Sequence, residues 1–178
     1  MKALKLCLAL FGVCVFAPAQ GADFSVGEFT LKVPESFQGP RTSTPMPRAQ
    51  AHVFAVEAAA VPKPAIMIVI REGDGPAAEL KPAEYLDVAK KFAAEMLAAT
   101  ERRRTEFRAT EPREVKLAGR PAVDIAWTGK TNGTPTSGRL FVVATGKAVY
   151  LFHAMGGEPP TPETLAAIEA IKELRGKP

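Results

Sequence analysis

The sequence is poor in the residue types that most often carry catalysis or bind metal ions. Its 178 residues include two cysteines, two histidines and one tryptophan. Both cysteines, Cys7 and Cys14, lie in the first 19 residues, so removal of that segment would leave no thiol for a disulfide, a nucleophile or a zinc ligand. With only His52 and His153, a zinc site of three histidines is excluded, and no HExxH motif is present. We therefore expect no metal ion and no cofactor.

The sequence also lacks long hydrophobic runs. The apolar run over residues 6–16 is shorter than the ~20 residues that span a bilayer, which argues against a membrane anchor. Two lysines precede this run and Ala17-Pro18-Ala19 follows it, the three-part pattern of a secretory signal peptide. The sequence therefore predicts a signal peptide over residues 1–19 and one exported domain over residues 20–178. We expect a periplasmic or secreted protein with no transmembrane span.

An excess of one charge is missing as well. The chain has 23 lysines and arginines against 19 acidic residues, and without Lys2 and Lys5 the counts become 21 and 19, a net charge of +2. A nearly neutral exported protein does not have the basic surface that nucleic-acid binding requires. We therefore expect no nucleic-acid partner.

Positive charge is concentrated between residues 101 and 120, where seven basic residues accompany four acidic ones. The interleaved acids favour a solvated, salt-bridged edge over an anion-binding patch. The alternative stays open. We name four residues of this segment as the candidate anion or partner surface: Arg102, Arg103, Arg104 and Arg108.

Three segments in the first half of the chain have the pattern of strands. Apolar and polar residues alternate over residues 29–33 until Pro34 stops the pattern. An extended pattern resumes over residues 52–57. Residues 65–70 are apolar at every position, which is typical of a strand covered on both faces.

A proline-rich segment separates the first two of these strands. Residues 38–48 contain Pro40, Pro45 and Pro47 together with small polar residues. Proline lacks the N–H that a helix interior or a central strand needs. We expect an irregular surface loop here.

Two later segments have helical spacing. Pro82 suits a first helical position, and apolar residues recur after it at intervals of three and four. They are Tyr85, Ala89, Phe92 and Met96, with Leu86, Ala93 and Leu97 beside them. Near the C-terminus Thr161 suits an N-cap and Pro162 a first position. The apolar stripe predicted for this second helix consists of Leu165, Ile168, Ile171 and Leu174.

Residues 115–152 have the pattern of an antiparallel meander. Short connections at residues 118–119, 132–133 and 145–147 separate apolar segments, and short connections make antiparallel neighbours. Both faces of the last two segments are apolar, so we expect helices to cover both. The sequence predicts an α+β fold: a single-domain α/β/α sandwich with a mainly antiparallel sheet, one long central helix and a C-terminal helix.

This order of elements resembles a known group of folds. An N-terminal strand ending in Val33-Pro34-Glu35-Ser36-Phe37, the long helix, the turn Leu117-Ala118-Gly119-Arg120-Pro121-Ala122 and the terminal helix look like the PsbP-like and DcrB-like α/β/α sandwiches over residues 24–174. The resemblance implies a small non-enzymatic binding or accessory protein, as in envelope proteins, assembly factors and chaperone-like adaptors. The chain departs from DcrB-like proteins because no lipobox precedes Cys7 or Cys14, and the resemblance transfers no metal-binding residue.

Two short motifs resemble functional signatures. Gly129-Lys130-Thr131 matches the end of a phosphate-binding loop, but Asp124 stands where the loop requires its first glycine. Asn132-Gly133-Thr134 matches a glycosylation acceptor, yet Asn-Gly is also the preferred pair for a two-residue hairpin turn. We interpret the segment as a hairpin.

Four single residues are candidates for chemistry: His52, Asp124, Trp127 and His153. No GxSxG motif accompanies His153, so we interpret it as a strand-end histidine held by hydrogen bonds, and His52 in the same way. Asp124 faces away from its apolar neighbours, and a solvated or hydrogen-bonded sheet carboxylate is favoured over a buried acid. Core packing is the favoured role of Trp127, with a ligand-stacking platform as the alternative. We assign no catalytic residue.

These observations favour an exported protein of the bacterial envelope that acts as a non-enzymatic binding or accessory module, with another envelope protein as its partner. One alternative is a small periplasmic hydrolase that uses His153 or Asp124. A second alternative is a binder of anionic lipid or lipopolysaccharide headgroups, in which the arginine cluster contacts the membrane from outside.

Overall fold

The computed structural model describes residues 21–57, 61–73 and 79–177. The predicted signal peptide, with Cys7 and Cys14, lies outside the described residues. The described residues form eleven strands and two α-helices. The strands are β1 (Asp23–Val26), β2 (Phe29–Lys32), β3 (Gln38–Met46), β4 (Ala49–Ala55), β5 (Ala65–Glu72), β6 (Thr105–Ala109), β7 (Arg113–Leu117), β8 (Arg120–Thr131), β9 (Thr134–Ala144), β10 (Ala148–Gly157) and β11 (Arg175–Gly176). The helices are α1 (Tyr85–Glu101) and α2 (Pro162–Lys172).

The strands form two antiparallel sheets. The large sheet has the order β3-β4-β5-β10-β9-β8-β6, and β7 pairs with the part of β8 that β6 leaves free. The small sheet has the order β1-β2-β11. The predicted meander is confirmed, because β7, β8, β9 and β10 follow one another as antiparallel neighbours.

The large sheet has a hydrophobic cluster on each face. On one face α1 covers the central strands, with Phe92 buried against Leu140 and Leu151. On the other face α2 and the small sheet share the cover, and Phe29 is fully buried there with Phe152. The predicted α+β fold with a mainly antiparallel sheet is confirmed. The expectation that helices alone cover the second face was wrong, because Val26, Phe29 and Leu31 of the small sheet belong to the same buried cluster as Ala167, Ile168 and Ile171 of α2.

Helix α2 begins at the predicted Pro162, whereas α1 begins at Tyr85, three residues after the predicted Pro82. A single 3₁₀ turn over Pro82–Glu84 leads into α1, and the Thr161 hydroxyl accepts the N–H of Thr164 at the start of α2. The stripe predicted for α2 was wrong at two positions: Leu165 is 51% exposed, and Leu174 is buried but lies after the helix, which ends at Lys172 and does not continue to the C-terminus as predicted. Ile168 and Ile171 are buried as predicted. The place of Leu165 on the buried face is taken by Thr164 and Ala167.

The proline-rich segment is a strand and not a loop. β3 lies at the edge of the large sheet, and its register with β4 shifts twice, between Gln38 and Arg41 and between Ser43 and Met46. An edge strand needs hydrogen bonds on one side only, so it tolerates prolines that a central strand would reject. The exclusion of a central strand was therefore right, and the expectation of an irregular loop was wrong.

The hairpin at Asn132-Gly133 is confirmed. Thr131 and Thr134 are paired, and Asn132 and Gly133 have φ angles of 50° and 79°, the left-handed backbone of a two-residue turn. Lys130 lies in β8, so this segment is a strand where a phosphate-binding loop would need a turn into a helix.

Candidate functional site

The arginine segment extends from the end of α1 into β6. Arg102 and Arg103 are exposed in the turn after the helix, and Arg108 is exposed on β6. Within the described part of the chain, none of these three side chains has an ion-pair partner. Elsewhere in the segment the predicted salt bridges are present, with Glu106 on Lys130 at 2.6 Å and Glu114 on Lys90 at 2.7 Å.

Arg104 differs from its neighbours because its guanidinium is occupied. The group lies over the Trp127 ring at 4.1 Å from the ring centroid, and its Nη1 donates to the Thr100 carbonyl at 2.8 Å. Burial, and then the charge of Arg103, lowers the pKa of Arg104 below its ordinary value. Of the four arginines named from the sequence, three therefore face solvent and the fourth packs on an aromatic ring.

Trp127 is buried and joins β8 to β10. Its ring lies across Gly138 of β9, where an added Cβ would come within 2.5 Å of the indole. This crossing lets the indole N–H donate to His153 Nε2 at 2.9 Å, while Phe107 stacks on the ring. The predicted core role of Trp127 is confirmed, since the side chain is 2% exposed.

His153 is held from one side only. The indole N–H can only donate, so His153 Nε2 accepts and the ring proton is on Nδ1. Nδ1 is buried and has no hydrogen-bond partner among the described residues. Burial, with a smaller effect of the Arg104 charge, lowers the pKa of His153 to about 3. The prediction of a strand-end histidine was wrong, because His153 lies in the interior of β10.

His52 lies on β4, two strands from His153 on β10, and on the opposite face of the sheet. Its Nδ1 is within 3.1 Å of the Thr42 hydroxyl, and its ring packs edge-on against Phe24. Partial burial lowers its pKa. The predicted hydrogen bond is present, but the prediction of a strand-end position was wrong for His52 as well, because His52 is the central residue of β4.

Asp124 is a buried carboxylate bound to two arginines. Arg139 on β9 donates from Nε to Oδ1 at 2.7 Å and from Nη2 to Oδ2 at 2.6 Å. Arg113 on β7 donates from Nη2 to Oδ2 at 2.7 Å. Asp124 is 1% exposed, so it combines two readings that the sequence left as alternatives: a buried acid and a hydrogen-bonded sheet carboxylate.

Electrostatics keep this cluster charged. Burial alone would raise the pKa of Asp124, but the hydrogen bonds from Arg139 and Arg113 outweigh it, so the pKa lies below its ordinary value. The same hydrogen bond from Asp124 raises the pKa of Arg139. The cluster therefore carries two positive charges and one negative charge at neutral pH.

The cluster lies at a cleft of about 310 Å³ between β7, β9 and α2. Arg113, Arg139 and Lys172 provide its basic groups, and Val115 and Phe141 are among its apolar residues. The Arg139 guanidinium packs on the Phe141 ring at 5.2 Å. Lys172 is paired with Glu169, and the Glu114 carboxylate is bound to Lys90.

Sequence reasoning missed the roles of Arg113 and Arg139, although a signal was present. A two-residue turn at Asn132-Gly133 fixes the register of the hairpin, and counting back from it places Arg139 opposite Ala126, diagonal to Asp124 on the same face. Arg113 required the register of β7 against β8, which pairs it directly with Asp124.

A second cleft, of about 670 Å³, lies beside Tyr150, and Glu28, Glu72 and Glu79 are among the residues that line it. Burial raises the pKa of Tyr150. Among residues 21–57, 61–73 and 79–177, no three acidic, histidine or cysteine side chains converge in a way that could hold a metal ion. None of the helices in these same ranges is long and apolar enough to cross a bilayer.

Comparisons with known proteins identify the fold. No family model and no curated protein sequence matches the chain. The chain is similar in structure to LpqN of Mycobacterium tuberculosis, described as involved in cell envelope biogenesis, with a TM-score of 0.57 and 20% identity over 89% of this chain and 86% of LpqN. It is also similar to a protein from Bacteroides thetaiotaomicron, with a TM-score of 0.55 and 11% identity over 90% of this chain and 50% of the other. At these identities the comparisons establish a shared fold.

Proposed function

We propose that the protein is a non-enzymatic binding or accessory module of the bacterial cell envelope, located outside the cytoplasm, with another envelope protein as its partner. The proposal includes the predicted signal peptide over residues 1–19. We also propose that the chain is related to the PsbP-like and DcrB-like proteins that its order of elements resembles, most of which are small accessory proteins.

The observation that carries the proposal is the separation of the three groups with acid-base chemistry. His153 faces α1, whereas Asp124 and His52 face the opposite side of the sheet. Asp124 on β8 and His52 on β4 are four strands apart, or roughly 19 Å at ~4.8 Å per strand. General acid-base catalysis needs partners within about 3 Å of one another or of one substrate atom, so these residues cannot act together.

Fold similarity supports the envelope part of the proposal. LpqN is described as involved in cell envelope biogenesis, and the present chain covers 86% of it. One fold can have many unrelated functions, so the similarity to LpqN supports a role in the cell envelope and says nothing about the mechanism.

The test is affinity capture with a tagged chain from envelope extract of the native cell, after brief cross-linking. An unrelated exported protein with the same tag is the control. We expect one envelope protein to be enriched with the chain and absent from the control, and the chain itself to fractionate outside the cytoplasm.

The hydrolase alternative is tested in parallel with a panel of ester, phosphate and peptide substrates. Turnover that is lost in His153→Gln or Asp124→Asn, with the fold intact by circular dichroism, would contradict the proposal. The same turnover retained in both variants would indicate a contaminating enzyme.

Contact with anionic headgroups is a second candidate, favoured by one observation. Arg102 and Arg103 are adjacent, exposed and without an ion-pair partner among the described residues. Basic residues next to an anionic surface contribute about 1 kcal/mol each. We expect Arg102→Ala with Arg103→Ala to reduce binding to phosphatidylglycerol vesicles at least fivefold, whereas Arg41→Ala leaves it unchanged. Binding that persists in the double variant would refute this candidate.

A further inference from the structure

We infer that the cleft beside Asp124 binds the carboxylate or phosphate group of a small ligand that also has a short apolar body, with Arg113 and Arg139 as its anion-binding residues. This inference goes beyond the proposed function, because an envelope partner can bind elsewhere on the surface. Each can fail without the other.

The cluster around Asp124 has more positive than negative charge. One buried carboxylate needs one counter-charge, but Asp124 is bound by two guanidiniums. Two other charged side chains of the cleft form pairs: Lys172 with Glu169 at 2.6 Å, whose charge also acts on Arg139, and Glu114 with Lys90. The cluster therefore retains an excess of one positive charge, located on the two arginines.

Arg113 and Arg139 have N–H donors that Asp124 does not use. Each guanidinium carries five N–H donors in a planar fork. Asp124 uses three of these N–H groups in total, two from Arg139 and one from Arg113. In the described part of the chain the other N–H groups of the two arginines have no acceptor. The side chains are 63% and 22% exposed for Arg113 and Arg139, so a ligand can reach these groups from the cleft.

The Arg139 guanidinium is preorganised for binding an anion. Bidentate binding to Asp124 and packing on Phe141 fix the plane of the Arg139 guanidinium. A fixed fork loses little side-chain entropy when it binds an anion, and it matches the two oxygens of a carboxylate or phosphate. One arginine is enough to neutralise the Asp124 carboxylate. The second arginine, which donates to the same carboxylate oxygen, therefore exceeds what neutralisation requires.

The volume and the apolar lining of the cleft indicate the rest of the ligand. The cleft is about 310 Å³, close to the lower end of the range for small-molecule sites. Val115, Leu117 and Phe141 provide apolar side chains next to the arginines. A short alkyl or aromatic body therefore fits beside the anionic group.

The test is an NMR titration of the ¹⁵N-labelled protein with four probes: hexanoate, hexyl phosphate, acetate and the uncharged analogue hexanol. We expect saturable shifts of amide signals in β7, β8 and β9 with hexanoate, hexyl phosphate or both, which also distinguishes carboxylate from phosphate as the preferred group. Acetate should bind at least tenfold more weakly, and hexanol should give no saturable shifts.

Three variants complete the test. Arg113→Gln should weaken binding at least tenfold, Arg113→Lys should restore part of it, and Arg41→Gln should bind as wild type does, because Arg41 forms its ion pair with Glu57 at the far edge of the sheet. Circular dichroism confirms that each variant is folded. The inference is overturned if neither anion gives saturable shifts at millimolar concentration, if hexanol shifts the same signals equally, or if Arg113→Gln binds as wild type does.

Discussion

The buried imidazole of His153 makes the stability of the protein depend on pH in a defined window. Burial lowers its pKa from the ordinary value of 6.5 to about 3 in the folded protein. The unfolded chain therefore binds more protons than the folded protein between these two values. Stability from the neutral ring is complete above pH 6.5 and is lost as the pH falls toward 3.

The magnitude follows from the two pKa values. Between pH 7.5 and pH 4.5, linkage of one group with these values costs about 2.7 kcal/mol of unfolding free energy. His52 adds a smaller loss of the same sign, since burial lowers its pKa as well. Carboxylates contribute little above pH 4.5, because their pKa values in unfolded chains lie near 4.

Urea unfolding at a series of pH values measures this loss. Trp127 is the single tryptophan and donates to His153, so its fluorescence reports the transition, with circular dichroism as a second probe. We expect His153→Gln, which retains an acceptor for the indole, to remove most of the loss between pH 7.5 and 4.5. The control His52→Gln should retain most of it. A His153→Gln protein with the full wild-type pH dependence would refute the reasoning.

Two further predictions concern the packing around these clusters. Gly138→Ala would place a Cβ 2.5 Å from the Trp127 ring, and we expect it to destabilise the protein by about 1–3 kcal/mol and to shift the fluorescence maximum to the red. The control is Gly157→Ala, where the nearest neighbour of the added Cβ is 3.8 Å away. Equal urea midpoints for the two variants would contradict the crossing of Trp127 over β9. Asp124→Asn removes the charge that binds two arginines, and we expect it to lower the free energy of unfolding by about 3 kcal/mol in the same assay. The exposed control Glu169→Gln should lower it by about 0–1 kcal/mol. Similar losses for the two variants would mean that the buried cluster contributes no more than a surface ion pair.

The extent to which the sequence predicted the fold follows from the strength of each local pattern. Apolar periodicity identified β2, β5, α1 and the strands from β7 to β10, because those segments bury whole faces. β6 was missed, since Phe107 is its one large apolar residue and charged residues surround it. Its pairing with β8 comes from the neighbouring strand and leaves no periodic signal of its own.

The site was less accessible to sequence reasoning than the fold. The sequence indicates Asp124, His153 and Trp127 as candidate residues, but their partners depend on the register between strands that are distant in sequence. The contact of Trp127 with His153 needs three strands aligned and a glycine between them. No single-segment pattern contains that information.

The prolines of β3 have a consequence for the behaviour of the protein at high concentration. Pro40 and Pro45 remove two N–H donors from the border of the large sheet, and the two register shifts bend what remains. A second sheet that approached this border would meet an interrupted row of donors and acceptors and could not extend it into a continuous ladder. The prolines and register shifts of β3 therefore disfavour pairing of this edge with a second sheet.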